Sequence, residues 1–205
     1  SRGLGDVYKR QPLMSLPQYF DCTSSTLSRH VPYVFPKKDR VELWKQKFDK
    51  TKFNIGINWQ GNPHSPVDEG RSFSLNHFKI FEHLKNYQFY SLQKYYGLDQ
   101  KIEFSNLLFF DKFDDGNDAF IDTSAIIENL DLVITSDTSI AHLSGAMGKR
   151  TWVILQKNCD WRWMLNCEDS IWYPHMRLFR QEQIGNWEEV FKRVYNALLE
   201  LSVDK

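Results

Sequence analysis

The residues best suited to chemistry lie in Asp131–Arg150, DLVITSDTSIAHLSGAMGKR. Asp131 to Thr135 reads as a short buried strand, Ser136 to Ser139 as a polar turn, and Ile140 to Met147 as a small-residue helix ended by Gly148. The first amides of a helix have no partner within it, and its dipole is positive there, so a strand feeding a helix this way offers a seat for an anion. Thr138 and Ser139 add hydroxyl donors, Asp137 an acceptor for sugar or ribose hydroxyls, and His142 a titratable ring one turn in. The same residues would also serve as an ordinary helix cap with a packed histidine.

Further candidates follow other strands. The loop QGNPHSPVDEGR, rich in Gly and Pro, carries Gln60 and Asn62 and closes on Arg71, which could hold a phosphate through its guanidinium fork. Gln93 and Lys94 end another apolar run. Cys159–Pro174, CDWRWMLNCEDSIWYP, sets Trp161, Trp163, Trp172 and Tyr173 around Arg162, either as core or as a platform that stacks on a base or sugar.

These residues need elements to position them. Short apolar runs at 53–59, 87–92, 107–110, 132–135, 151–155 and 176–179 read as strands. Between them, the patterns predict helices from Asp39 to Phe48 capped by Asp39, from Ser74 as cap to about Leu84, from Asp122 or Thr123 as cap to about Asn129, and from Asn186 as cap through 187–201. Alternating strands and helices with apolar strands predict an α/β domain, a Rossmann-like, doubly wound parallel sheet. Ligands in such sheets sit at the carboxyl ends of the strands, so Arg71, Thr138 and His142 should line one cleft there.

Composition narrows the options. Lys plus Arg equals Asp plus Glu at 26 each, so no general attraction to nucleic acid is expected. No apolar run could span a membrane and no signal peptide is visible. Cys22, Cys159 and Cys167 form no disulfide framework, and the expectation is free thiols in the cytoplasm. No zinc-like spacing exists, and neither GxGxxG after the first strand nor GxxxxGK[ST] is present, which disfavours a dehydrogenase or P-loop enzyme. Ser1–Gln11 resembles translated adapter sequence and is set apart as a scar. Residues 12–50 read as a connector from a domain outside the chain, and 51–205 as the binding domain.

Taken in order, GINWQGNP, RSFSL, FYSLQK, IDTSAIIENLDLVITSDTSIAHLSGAMGK, DWRWML, DSIWYPHMRLFRQ and NWEEVFKRV resemble the C-terminal domain of bacterial tetratricopeptide-repeat glycosyltransferases. That family is similar to the heptosyltransferases and, more distantly, to O-GlcNAc transferase. The resemblance covers about Pro12 to the C-terminus. It implies half of a GT-B fold, with a nucleotide-sugar donor as substrate and no cofactor or metal. Asp137, Thr138, Ser139 and His142 would meet the donor's phosphates and sugar, and Arg71 a phosphate. Ser139 stands where heptosyltransferases often carry Gly, at the point of closest backbone approach. The expected partners are the nucleotide sugar, an acceptor, and an N-terminal domain with repeats that holds the general base. Transfer would invert the anomeric centre, and the chain alone would bind donor weakly and not turn over. The alternative is a non-catalytic α/β scaffold that keeps the fold.

Overall fold

The structure is a computed structural model that describes residues 19–20, 23, 26–27, 29–100, 102–116 and 119–201. The expectations for Ser1–Gln11, for the start of the connector and for Cys22 lie outside these residues. Six parallel strands form one sheet: β1 (Phe53–Asn58), β2 (Tyr87–Ser91), β3 (Leu107–Leu108), β4 (Leu132–Ser136), β5 (Thr151–Leu155) and β6 (Met176–Arg180). Their order is β3-β2-β1-β4-β5-β6, the doubly wound order of the Rossmann-like class. β2, β4 and β5 are buried at every position, which is why they read as largely apolar runs without a polar face, β2 and β4 carrying buried Gln88, Ser91, Thr135 and Ser136.

Each strand sends alternate side chains to opposite layers. Ile55 and Ile57 of β1, with Leu132 and Ile134 of β4, pack under the C-terminal helix α4 (Trp187–Leu201), through Val190, Phe191, Val194 and Leu198. Tyr90 and Val133 face the other layer. There Ile126 of α2 (Ile121–Glu128) and Ile140 of α3 (Ser139–Ala146) meet Trp44 of the short helix α1 (Lys38–Lys45). The sheet reverses its order between β1 and β4, and the crevice opens at their carboxyl ends, beside Asn58 and Ser136.

Four local expectations are corrected. The helix expected from Ser74 to about Leu84 is a 3₁₀-helix, Leu75–Phe81, rather than an α-helix, although Ser74 does cap it by accepting from the Asn76 amide at 3.2 Å. Leu75, Phe78, Phe81 and Leu84 recur every three residues, the period that lines one face of a 3₁₀ turn. Helix α1 ends at Lys45, and Asp39 lies within its first turn instead of capping it. Helix α2 is entered through Phe120, left-handed at φ 67°, and its cap comes from a distance: the Asp114 carboxylate accepts from the amides of Asp122 (2.5 Å) and Thr123 (3.2 Å). The third strand is two residues long, because the chain turns away after Leu108.

The segment before β1 packs on the rest of the fold. The amides of Tyr33 and Val34 both donate to the Ala146 carbonyl at the end of α3. Arg40 pairs with Asp122 of α2, and the Trp44 indole donates to the same carboxylate at 2.8 Å. Burial pushes the Asp122 carboxyl up, but donors from Trp44, Asp114 and Arg40 outweigh it and hold it below its ordinary value.

Candidate functional site at the switch point

Asn58, almost fully buried at the end of β1, organises the crevice. Its Oδ1 accepts from the Thr138 hydroxyl at 3.0 Å, and its Nδ2 donates to Gln93 Oε1 at 2.9 Å. One side chain thus joins the ends of β1 and β2 to the start of α3. Thr138 occupies the N-cap position, yet its side chain makes no cap bond because Asn58 holds the hydroxyl. The first turn of α3 therefore has no side-chain cap, the condition under which a helix terminus keeps its affinity for an anion.

Gln93 is used entirely within the protein. Its Oε1 also accepts from the amides of Trp59 and Gln60, and its Nε2 donates to the carbonyls of Gln60 and Tyr96. Lys94 is engaged too, donating to the carbonyls of Phe113 (2.8 Å) and Asp114. These two shape the crevice and leave few donors for a ligand. Gln60 accepts from Gln100 at 2.9 Å, and Asn62 closes a turn on the His64 amide at 3.0 Å.

The loop after β1 is ordered around Asp68, which is buried. Its carboxylate accepts from Arg71 Nε at 2.9 Å and from the Ser72 hydroxyl, which in turn accepts from the Gly61 amide. Gly61 lets this pair lie against the backbone, since a Cβ there would come within 2.4 Å of Asp68 Oδ1. Arg71 is held by one edge of its guanidinium, and its side chain is 20% exposed.

Two cavities flank the start of α3. One, about 320 Å³, is lined by Gln60, Asn62, Gln93, Lys94, Tyr95 and Phe120. The other, about 370 Å³, is lined by Arg71, Asp137, His142, Gln156, Asn158 and Arg162. Thr138 and Ser139 line both. The nine candidate residues thus fall into two groups that share the helix N-terminus, and Arg71, Thr138 and His142 line one cavity. Asn58, Asp68, Asn158 and Asp160 were missed. Only Asn58 left a signal, as a polar residue at the end of an apolar strand.

Electrostatics differ within the second cavity. Burial raises the Asp137 carboxyl above its ordinary pKa, opposed by Trp163, His142 and Arg71. The Trp163 indole N–H meets no acceptor in hydrogen-bond geometry, yet it acts on Asp137 as a nearby dipole. Burial lowers His142, against the pull of Asp137, so its ring is neutral at neutral pH. Trp163 is core and stacks on His142 (5.2 Å, 18°), whereas Trp161 is 55% exposed with the Arg162 guanidinium 4.9 Å over its ring. The tryptophan segment therefore divides between core and cavity rim. Among the described residues no group of His, Cys, Asp or Glu is arranged to hold a metal ion, and no helix is long and apolar enough to cross a membrane.

The order of the sheet and the crevice at its switch point define a Rossmann-like α/β domain, matching the domains of GT-B glycosyltransferases. No family model matches the chain. It is similar to Protein FlbA of Caulobacter vibrioides, 26% identical over 186 residues, covering 86% of this chain and 30% of that protein. Among solved structures it superposes on a family 9 glycosyl transferase from Veillonella parvula (TM-score 0.58, 12% identity, 84% of this chain and 54% of that one). It also superposes on the E. coli heptosyltransferase WaaC with ADP (0.55, 8%, 86% and 53%) and on E. coli ADP-heptose lps heptosyltransferase II (0.51, 10%, 86% and 56%). The chain spans about half the length of these structures and under a third of the curated relative. At these identities the likeness is one of fold.

Proposed function

We propose that this chain is the donor-binding domain of a glycosyltransferase, holding a nucleoside diphosphate sugar at the N-terminus of α3. The observation that carries the reading is the meeting of Arg71, Asp137 and His142 around the uncapped start of that helix, at the switch point of the sheet. The diphosphate lies against the first amides of α3 and the free edge of Arg71. Nucleoside and sugar occupy the two flanking cavities, with Tyr95 and Phe120 offering aromatic faces in one and Asp137 a hydroxyl acceptor in the other.

In transfer, an acceptor hydroxyl attacks the anomeric carbon as the bond to the diphosphate breaks, inverting that centre. The hydroxyl's proton passes to a base, and the leaving group's charge is met by α3 and Arg71. The base and the acceptor belong to a second domain outside these 205 residues, and the chain alone does not turn over. The solved proteins of like fold are about twice as long, which supports this division. A cytoplasmic location, free thiols, and the absence of a metal from the reaction belong to the same proposal. So does the division of the chain into a connector up to residue 50 and a binding domain from 51.

The test is a thermal-shift panel of nucleoside diphosphates and nucleotide sugars on the full-length protein. A ligand at a hundredfold excess over its Kd adds about 2.7 kcal/mol to the folded state, a readily measured shift. Stabilisation by at least one diphosphate, lost in Arg71→Ala and Asp137→Ala, is the expected result. No response across the panel would leave the scaffold reading in its place.

A further inference from the structure

We propose that Tyr173 is a positioning residue that fixes His142 as a neutral hydrogen-bond donor, its Nε2–H turned to the second cavity. This rests on the donor site proposed above for its use, but not for its geometry. Tyr173 precedes β6, and its hydroxyl lies 3.1 Å from His142 Nδ1. Its ring lies directly on α3 at Gly145, where a Cβ would come within 2.6 Å of the ring carbon Cγ. His142 and Gly145 are three residues apart, hence on one face of the helix. The bare glycine admits the ring, and the ring delivers its hydroxyl to the histidine. Trp163 stacks on the other part of the imidazole, so the ring plane is held from two sides.

The direction of the bond follows from the groups. A phenol is a stronger donor than a neutral imidazole N–H, and an imidazole nitrogen a stronger acceptor than a phenol oxygen. Burial, with the neighbouring phenol of Tyr33, keeps the Tyr173 hydroxyl protonated. Tyr173 therefore donates to Nδ1, and the proton of the neutral ring sits on Nε2, the nitrogen without a protein partner among the described residues. His142 lines the cavity beside Arg71 and the first turn of α3, so a third donor joins an anion-binding set. It neither needs a positive charge nor acts as a base there. The charged groups around it are Asp137, Arg162 and Asp160.

The test uses the full chain with ¹⁵N-labelled histidine, without nucleotide, and His142 assigned by comparison with His142→Gln. At neutral pH the wild-type ring should show a protonated Nε2 and a bare Nδ1. Tyr173→Phe should move both resonances toward the average of two tautomers, and Gly145→Ala, which displaces the ring, should do the same. A protonated Nδ1 in the wild type, or unchanged resonances in a folded Tyr173→Phe, would overturn the assignment, and the wild-type spectrum decides even if both variants misfold. Adding ADP or UDP then separates the two claims. A shift of the Nε2 resonance, with affinity about five- to tenfold weaker in Tyr173→Phe, supports the use of this donor. A fixed tautomer with no response to either nucleotide supports the positioning and counts against the donor site.

Discussion

Asn58 Oδ1 and the Thr138 hydroxyl are 3.0 Å apart, and this contact decides what the start of α3 can do. A threonine at an N-cap ordinarily turns its oxygen to the amides of its own helix. Here the hydroxyl turns to the neighbouring strand, so the helix has no side-chain cap, although the Ala141 amide donates to the Thr138 carbonyl at 3.0 Å. Asn58→Leu keeps the volume but removes the acceptor for Thr138 and the donor to Gln93. The expected cost is about 2–3 kcal/mol, since Gln93, Thr135, Ser136 and Thr138 each lose a bond to Asn58. Thr138 is then free to cap α3, so nucleotide binding falls by more than stability alone explains. Urea unfolding, paired with the thermal-shift panel on the same variant, separates the two effects.

Asp122 ties helix α1 to α2 and the Asp114 loop, with Arg40, the Trp44 indole and the Asp114 amide all converging on one carboxylate. Asp122→Ala strands the buried donors and should destabilise by about 3 kcal/mol. Its folded pKa lies below the ordinary 3.8, so the stability it confers is complete above that value and is lost as pH falls below it. Acid unfolding of Asp122→Asn should therefore lack part of the wild-type slope in that range. Protease sensitivity of the α1 segment should rise in both variants.

Histidine burial sets a second pH dependence. His77, stacked on Phe191 (5.2 Å, 25°), and His142 both have pKa values lowered from 6.5, burial being the main cause in each. Between the lowered value and 6.5 the unfolded chain binds more protons than the folded one, so stability declines as pH falls through that window and is fully retained above it. Asp137 works in the opposite sense. Its raised pKa means that the folded chain takes up a proton first, and its contribution grows as pH falls towards 3.8. Chemical denaturation between about pH 7.5 and 5.5 should show declining stability. His77→Gln, remote from the crevice, should flatten the decline without changing nucleotide affinity.

Arg71 offers a test of charge. It is paired with Asp68 through Nε, and its side chain lines the second cavity. Arg71→Lys retains the charge but not the fork, so affinity for a nucleoside diphosphate should drop about tenfold, and further in Arg71→Ala. Titrations at two ionic strengths should show a weaker salt dependence in the alanine variant only. Melting temperatures without ligand should fall in Arg71→Ala, which leaves the buried Asp68 carboxylate without its charged partner, and fall less in Arg71→Lys.

Much of this molecule is legible in its residue order. Strands buried on both faces are rich in apolar residues and lack a polar face, so β1, β2, β4 and β5 stand out, and the alternation with helices implies a parallel sheet. The strand-turn-helix at Asp137 is visible because its polar residues interrupt two apolar runs. The elements that misled depend on distant partners. Asp114 caps α2 across an intervening loop, and the 3₁₀ segment takes its form from period-three packing against α4.

The sequence by itself determined the sheet, the helix at its centre and the kinds of side chain available there, because these follow from local periodicity and from what burial permits. Only the tertiary structure decided how those side chains are used. Gln93 and Lys94 spend their polar atoms on the backbone, while Asn58 draws Thr138 away from capping its helix. Tyr173, some thirty residues beyond His142 in the chain, reaches its ring nitrogen. A hydrogen bond satisfies whichever donor and acceptor the fold brings within reach, and that choice is made in space rather than along the chain.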